Sequence, residues 1–347
     1  MAEDAKPAAE TYDDRPVHAE VPLPPEVQAP LAVYRGEPPA SPQWFKDAIA
    51  QEPERVFVES LGSKLEVLTW GDVGKPGLLF VHGNSAHADW WSLIAPFFAD
   101  QYRVASMSLA GMGASDWRET YSFTDFAEDA EAVARATSLY DGGRKPTYIG
   151  HSFGGGQVFF AAARHPERMH AAVMVDTGFG PPPEEMAKRQ AQMEAVRNIP
   201  TVDRPSRVYP TMEAALARFR LMPPQPAGNP CIADFIARRS LKRAPLPDGS
   251  GEGWTWRFDP NMWAKLDRSQ MQMMHGQAPP ATASTTPMVH IYGAKSRIVE
   301  HRKAGAPSPF PAGLIEIEIP DAHHHNMIDQ PLALVASLRT LLAAWPR

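Results

Sequence analysis

Cysteine is all but missing: Cys231 is the only one in 347 residues, which excludes an internal disulfide framework. It lies in a proline-rich stretch without a paired motif, so it reads as a buried or incidental thiol rather than a nucleophile. No run of about 18 apolar residues occurs, so no transmembrane helix is expected. There is no long basic run either. The net charge is −6, which argues against nucleic acid or an anionic membrane as the partner. The start, Met1-Ala2-Glu3-Asp4-Ala5-Lys6, has neither the basic opening nor the apolar stretch of a secretory signal, and the expected location is cytoplasmic. What remains is ordinary for a folded soluble chain: 44% apolar and 21% charged residues. The length suits one large α/β domain carrying an inserted subdomain.

Proline, by contrast, is plentiful, at 36 residues. One concentration is residues 1–40, where Val21-Pro22-Leu23-Pro24-Pro25 is typical. Such a stretch suits neither a helix interior nor a central strand, and it reads as an extended arm. Packing on a second subunit would make it a route to a homo-oligomer. From Trp44 onward strands and helices alternate. Arg55–Val58 and Lys64–Trp70 read as two strands around the Gly62-Ser63 turn. Gly77–Val81 is a continuous apolar run, the mark of a strand buried on both faces. A helix is expected from Asp89, then a strand over Tyr102–Met107, a helix from Thr124 to Leu139 and a strand over Met169–Val175. Alternation of this kind predicts a mostly parallel sheet with helices on both faces, with ligand chemistry at the carboxyl ends of the strands.

Residues 179–286 break the pattern. Prolines cluster between helical pieces (Glu184–Val196, Thr211–Leu221, Ile232–Lys242, Asp259–Met274), and Met, Trp and Phe are frequent. This segment reads as a helical cap inserted between core segments 41–178 and 287–347. Most of its large apolar residues serve its own core and its seam with the sheet; a minority should line a pocket. Pro287–Tyr292 and Leu314–Ile319 resume the sheet, and Pro331–Trp345 forms a last helix.

The stretch with most chemistry is Ile149-Gly150-His151-Ser152-Phe153-Gly154-Gly155-Gly156. It holds G-x-S-x-G between a strand-like and a helix-like run, the setting of a nucleophile elbow. Glycines 150 and 154 remove Cβ atoms that would collide in so tight a turn. Three further blocks follow the same order: His82-Gly83-Asn84 before it, and Ile291-Tyr292-Gly293 and Asp321–Pro331 after it. With these four blocks the chain resembles the α/β-hydrolase superfamily over roughly residues 50–345. The resemblance implies an α/β fold with a mostly parallel eight-stranded sheet, helices on both faces and an inserted helical cap. It also implies a serine nucleophile, Ser152, served by a histidine base and an acid, without cofactor or metal.

In relatives the base lies in a stretch reading Asp-Ala-Gly-His-His ahead of Asp-Gln-Pro. Here Asp329-Gln330-Pro331 sets the register, so His323 stands at the glycine and His324 at the base, with His325 as the fallback. Three adjacent histidines in a loop, without spaced acidic or cysteine partners, are a weak metal signal. The acid departs from the common pattern. Relatives place an aspartate three residues beyond the glycine of the seventh strand, where this chain has Ser296. Asp176, at the end of the sixth strand, is the replacement, as in some haloalkane dehalogenases and lipases; Glu300 is the runner-up. The oxyanion donors implied are the backbone N–H groups of Phe153 and Asn84. His82 is expected to shape that loop rather than act as a second base, and Gly111-Met112-Gly113 lacks the full pattern of a phosphate-cradling loop. His87, Trp90, Phe179 and Met222 are candidates for the substrate pocket.

The His-Gly-Asn triplet also resembles haloalkane dehalogenases, which, like the epoxide hydrolases, attack with an aspartate. An ester on an aspartate is hydrolysed at the enzyme's own carboxyl carbon, whereas a serine ether is not. Acyl transfer is therefore the expected chemistry. The reading is a serine hydrolase acting on small to medium hydrophobic acyl or aryl esters. A thioesterase, an amidase or lactonase, and a carbon–carbon bond hydrolase share the apparatus, and a non-catalytic ligand-binding member of the fold is the alternative from another class.

Overall fold

A computed structural model describes residues 23–178, 205–267, 285–297, 299–300, 310 and 314–345. Eight strands make the main sheet: β1 (Glu54–Ser60), β2 (Ser63–Trp70), β3 (Gly77–Val81), β4 (Arg103–Met107), β5 (Thr147–His151), β6 (Ala171–Val175), β9 (Met288–Gly293) and β10 (Ile315–Ile319). Their order is β1-β2-β4-β3-β5-β6-β9-β10. The β2 strand pairs antiparallel with both β1 and β4, and every other pairing is parallel. The expected mostly parallel eight-stranded sheet is the one found.

The central strands β3, β5 and β6 are buried along their whole length, as their apolar runs require. Alternate residues feed two cores, one on each face. Leu78, Phe80, Ile149, Val173 and Val175 join the layer completed by Trp91, Phe98, Leu334 and Leu338. Leu79, Val81, Tyr148, Ala172 and Met174 join the layer with Phe126, Val133, Val158 and Phe160. The helices of the described residues are α1 (Pro25–Gln28), α2 (Gln43–Ile49), α3 (Phe123–Ala136), α4 (Phe153–Arg164), α5 (Met212–Leu216), α6 (Pro230–Arg239), α7 (Met262–Lys265), α8 (Asn326–Asp329) and α9 (Pro331–Ala344). The start of α3 is fixed by Ser122, whose hydroxyl accepts from the Asp125 N–H (3.0 Å), a cap worth about 1 kcal/mol. None of these helices is long and apolar enough to cross a membrane.

Three local outcomes differ from the pattern-based reading. The segment from Asp89 forms two 3-10 turns, Ala88–Trp91 and Ala95–Phe98, instead of a helix, because Pro96 interrupts it and its aromatics must fold back onto the sheet. Within the expected cap, Leu241–Pro245 (β7) and Glu252–Trp256 (β8) form an antiparallel hairpin where only helices were expected. The signal was present in Asp248-Gly249: the Asp248 carboxylate takes the Ser250 N–H (2.9 Å) and hydroxyl (2.6 Å), and Asp-Gly marks a turn. The part of the arm described is not fully extended either. Pro25 starts the four-residue α1, where a missing N–H costs nothing. Leu31 is buried in the core, and the Gly36 carbonyl accepts from Arg238 on α6. Residues 1–22, 179–204 and 268–284, which include most of the arm and much of the expected cap, lie outside the described residues.

Candidate active site

Ser152 stands between β5 and α4 with φ 52° and ψ −116°, a conformation that side chains larger than glycine's avoid. Packing on both sides enforces it. A Cβ on Gly150 would run into the Gly154 carbonyl, and one on Gly154 into the His82 carbonyl. The Ser152 N–H donates to the Val175 carbonyl (2.9 Å) and its own carbonyl accepts from the Thr177 hydroxyl (3.3 Å). The strained turn is thus tied to the end of β6.

The loop after β10 brings His324 to this serine. Its Nε2 lies 2.9 Å from Ser152 Oγ and its Nδ1 lies 2.7 Å from Asp176 Oδ1. A carboxylate only accepts, so Nδ1 carries the proton and Nε2 presents its lone pair to the serine hydroxyl. Asp176, at the end of β6, is fully buried. Burying a carboxylate costs several kcal/mol unless donors replace the lost water, and here they do. Besides His324, Oδ1 accepts from the Ser296 hydroxyl (2.6 Å), while Oδ2 accepts from the Gly293 N–H (2.8 Å) and the Asn326 side chain (3.3 Å). Ser296 stands at the position where the resemblance led an acid to be expected, and its hydroxyl donates to Asp176 instead. Glu300, the runner-up acid, is exposed.

Two braces hold the histidine loop. Asp329 Oδ2 accepts from the His323 N–H (2.8 Å), lies 3.0 Å from His323 Nδ1, and accepts from Gln225 (3.1 Å). Gln225 in turn accepts from the His325 N–H (3.0 Å). His325 reaches neither Ser152 nor Asp176; its ring packs between Trp90 (5.4 Å between centroids) and His151 (5.3 Å). Burial holds the His325 imidazole well below its usual pKa, with His324 and His151 adding to the effect. His151 is lowered to about 3 by burial and by His324, and its Nε2 lies 3.0 Å from the His324 carbonyl. The side chains of His151, His324 and His325 can bring ring nitrogens within 4.8 Å of one another. A metal there would have to take a His324 nitrogen that Ser152 or Asp176 engages.

The loop after β3 presses on the serine: a Cβ on Gly83 would lie 3.3 Å from Ser152 Cβ. His82 pins that loop, its Nε2 accepting from the Leu109 N–H (2.9 Å) and its Nδ1 donating to the Gly83 carbonyl (2.7 Å). Burial lowers His82 to about 3, so it stays neutral. Among the described residues neither the Asn84 nor the Phe153 amide is used in the fold's own hydrogen bonds. The Gly111-Met112-Gly113 loop is occupied by the chain itself, since the Gly113 N–H donates to the Arg257 carbonyl (2.8 Å) and Met112 bridges to Phe258.

The pocket candidates fare unevenly. Trp90 lies against His325, whose ring neighbours that of His324, and Met222 is exposed at 56%. His87, expected near the pocket mouth, is instead buried with its Nε2 2.8 Å from Ser240 Oγ, because the 3-10 turn draws it under α6. Phe179 lies outside the described residues. Ser296, Asn326 and Gln225 were not foreseen as site residues. Only Ser296 had a signal, the unexpected residue at a position expected to be acidic.

Residues 76–202 match the family model described as alpha/beta hydrolase fold. The chain is 26% identical over 188 residues to a serine hydrolase-like protein of Danio rerio, covering 50% of this chain and 53% of the relative. It is 31% identical over 113 residues to the lipase LipV of Mycobacterium tuberculosis, covering 32% and 41%. The matched stretch therefore spans about half, or less, of these relatives. Among solved structures, the thioesterase domain from the curacin biosynthetic pathway superposes with a TM-score of 0.64 at 19% identity, over 83% of this chain and 99% of that one, which bears on the fold alone.

Proposed function

The chain belongs to the α/β-hydrolase superfamily, and within it we propose a serine hydrolase that cleaves carboxylic esters through an acyl-enzyme. The observation that carries this reading is the unbroken chain Ser152 Oγ–His324 Nε2 (2.9 Å) and His324 Nδ1–Asp176 Oδ1 (2.7 Å). A serine hydroxyl is a weak nucleophile until a base takes its proton. In the proposed reaction Ser152 Oγ attacks the ester carbonyl as His324 takes the proton, and Asp176 holds the imidazolium. The tetrahedral oxyanion receives the Phe153 and Asn84 amides, and the positive end of α4 adds to them. The carbon–oxygen bond then breaks, and the alcohol leaves with the proton from His324. Water, activated by the same histidine, attacks the acyl-serine and releases the acid.

The Met, Trp and Phe content of the expected cap supports a hydrophobic acyl or aryl ester of small to medium size. A thioester would use the same apparatus. The test is a fluorophosphonate probe read by intact mass and peptide map, beside p-nitrophenyl esters of increasing acyl length and one thioester. A single adduct on Ser152 with ester turnover is expected. A folded protein with neither adduct nor turnover overturns the reading.

A further inference from the structure

A second cluster of charge lies on the same edge of the sheet, around a cavity of about 340 Å³ lined by Arg55, Glu66, Asp89, Arg238, Arg239 and Arg257 among others. Glu66 is on β2, and Ser152 follows β5, three strands away. At about 4.8 Å per strand the separation is roughly 14 Å. Arg238 is engaged elsewhere, by Asp234 (2.8 Å) and the Gly36 carbonyl. The remaining three guanidiniums share two carboxylates. Asp89 lies 3.2 Å from Arg55 and 3.3 Å from Arg239. Glu66 pairs with Arg55 through Oε1, while its Oε2 accepts from the Ser108 hydroxyl and the Ala114 N–H, both at 2.8 Å.

Arg257 is left over. Its backbone is clamped on both sides, the N–H donating to the Ser240 carbonyl and the carbonyl accepting from the Gly113 N–H, each at 2.8 Å. Among the described residues its guanidinium has no hydrogen bond or ion pair. Burial and the charge of Arg55 lower its pKa, and burial does the same to Arg239. A network serving stability alone would balance its charges. Among the described residues only two carboxylates lie within ion-pair distance of these three guanidiniums, with Glu52 acting on Arg239 from farther off, in a partly buried space where like charges repel more strongly than in water.

We propose that the cavity binds a ligand oxyanion, a carboxylate or phosphate group, between Arg55, Arg239 and Arg257. Guanidinium forks match the two-oxygen edge of such groups, and the bound anion supplies the missing negative charge. The site is joined to the serine centre by one turn of chain. Asp89 faces the arginines, and Trp90, its neighbour, packs on His325, whose ring neighbours that of His324. Resting on the serine-hydrolase reading, the oxyanion is either the far end of the ester substrate, tethered by a chain of roughly ten bonds or more given the separation, or a separate small anion.

The test starts with binding, which requires no turnover. Inorganic phosphate and acetate are titrated into the full chain and into the Arg257→Gln, Arg239→Gln and Arg257→Lys variants, followed by calorimetry, with circular dichroism as the folding control. Saturable binding to the parent protein is expected, weakened about tenfold or more in Arg257→Gln, with partial recovery in Arg257→Lys. The kinetic arm compares p-nitrophenyl monoesters of long dicarboxylic acids with neutral esters of equal length. The preference for the anionic ester should fall about tenfold in Arg257→Gln. Competition by phosphate against the anionic ester assigns the site to the substrate's own far end. Saturable phosphate binding without competition assigns it to a separate anion. No saturable binding to the parent protein, or binding by both glutamine variants as tight as the parent's, overturns the proposal. Failure of the serine-hydrolase reading would show separately, as absent fluorophosphonate labelling with anion binding intact.

Discussion

The serine centre and the arginine cavity occupy the same edge of one sheet, yet they are built on opposite principles. At the serine every charge is answered from within: the buried Asp176 carboxylate has four donors within 3.3 Å. At the cavity, among the described residues, the Arg257 guanidinium has no carboxylate within ion-pair distance. A centre that must hold three atoms in line before substrate arrives gains from being satisfied and rigid. A centre that must recognise an anion gains from a vacancy that only the anion fills. Burial alone distinguishes neither; the balance of donors and acceptors does.

The contrast can be broken hardest at Asp176. Replacing it with Asn keeps the shape but turns one acceptor oxygen into a donor and removes the charge facing His324. Ester kcat is expected to fall about 10,000-fold with the fold intact; near-normal kcat would remove Asp176 from the mechanism. Ser296→Ala probes the support of that acid more gently. It deletes one of four donors, and kcat/KM should fall about tenfold, the equivalent of one hydrogen bond to a charged group. An unchanged pH–rate profile and rate would mean that the other three donors suffice.

The surroundings of the serine also predict a pH response that the arginines cannot give. His82 and His151 are both lowered by burial from 6.5 to about 3. Between those values the unfolded chain binds protons that the folded chain refuses, so stability falls as the pH drops through that window and is flat above it. Each group contributes a slope of up to about 1.4 kcal/mol per pH unit. Denaturant unfolding at pH 7, 5.5 and 4 checks this, and equal stability at pH 7 and 4 would contradict it. The smallest effect is expected at the cavity. Arg257→Met removes an uncompensated cation and should raise Tm by about 1–2 °C; a fall of several degrees would show that Arg257 has a stabilising partner.

Much of the serine centre was legible beforehand because its cause is local. The turn at Ser152 depends on what Gly150 and Gly154 lack, and both lie within two residues of the serine. Asp176 could be singled out because Ser296 replaced the expected acid. The hairpin at 241–256 was missed although Asp248-Gly249 announced it, since its strands are charged on one side and too short for a clear alternation. The 3-10 turns after β3 were missed because a run of apolar residues with a proline looks helical until the sheet dictates where the aromatics go. His87 was misplaced for the same reason.

The residue order alone determined that a serine would stand on a strained turn at the end of a buried strand, with an acid 24 residues on and histidines near the end of the chain. The register of Asp329-Gln330-Pro331 pointed to His324 ahead of His325, but the reason that this ring faces the serine lies in the tertiary structure. His324 and His325 are chemically alike and adjacent, and only the braces from Asp329 and Gln225 turn one ring toward Asp176 and the other into the core. The arginine cavity is likewise a tertiary product. Arg239 and Arg257 flank the β7–β8 hairpin, but Arg55 comes from β1, far off along the chain, and nothing in their local sequence marks them. Short-range sterics can be read from neighbouring residues, but charge balance depends on which distant residues the sheet and its attached helices bring within a few ångströms of each other.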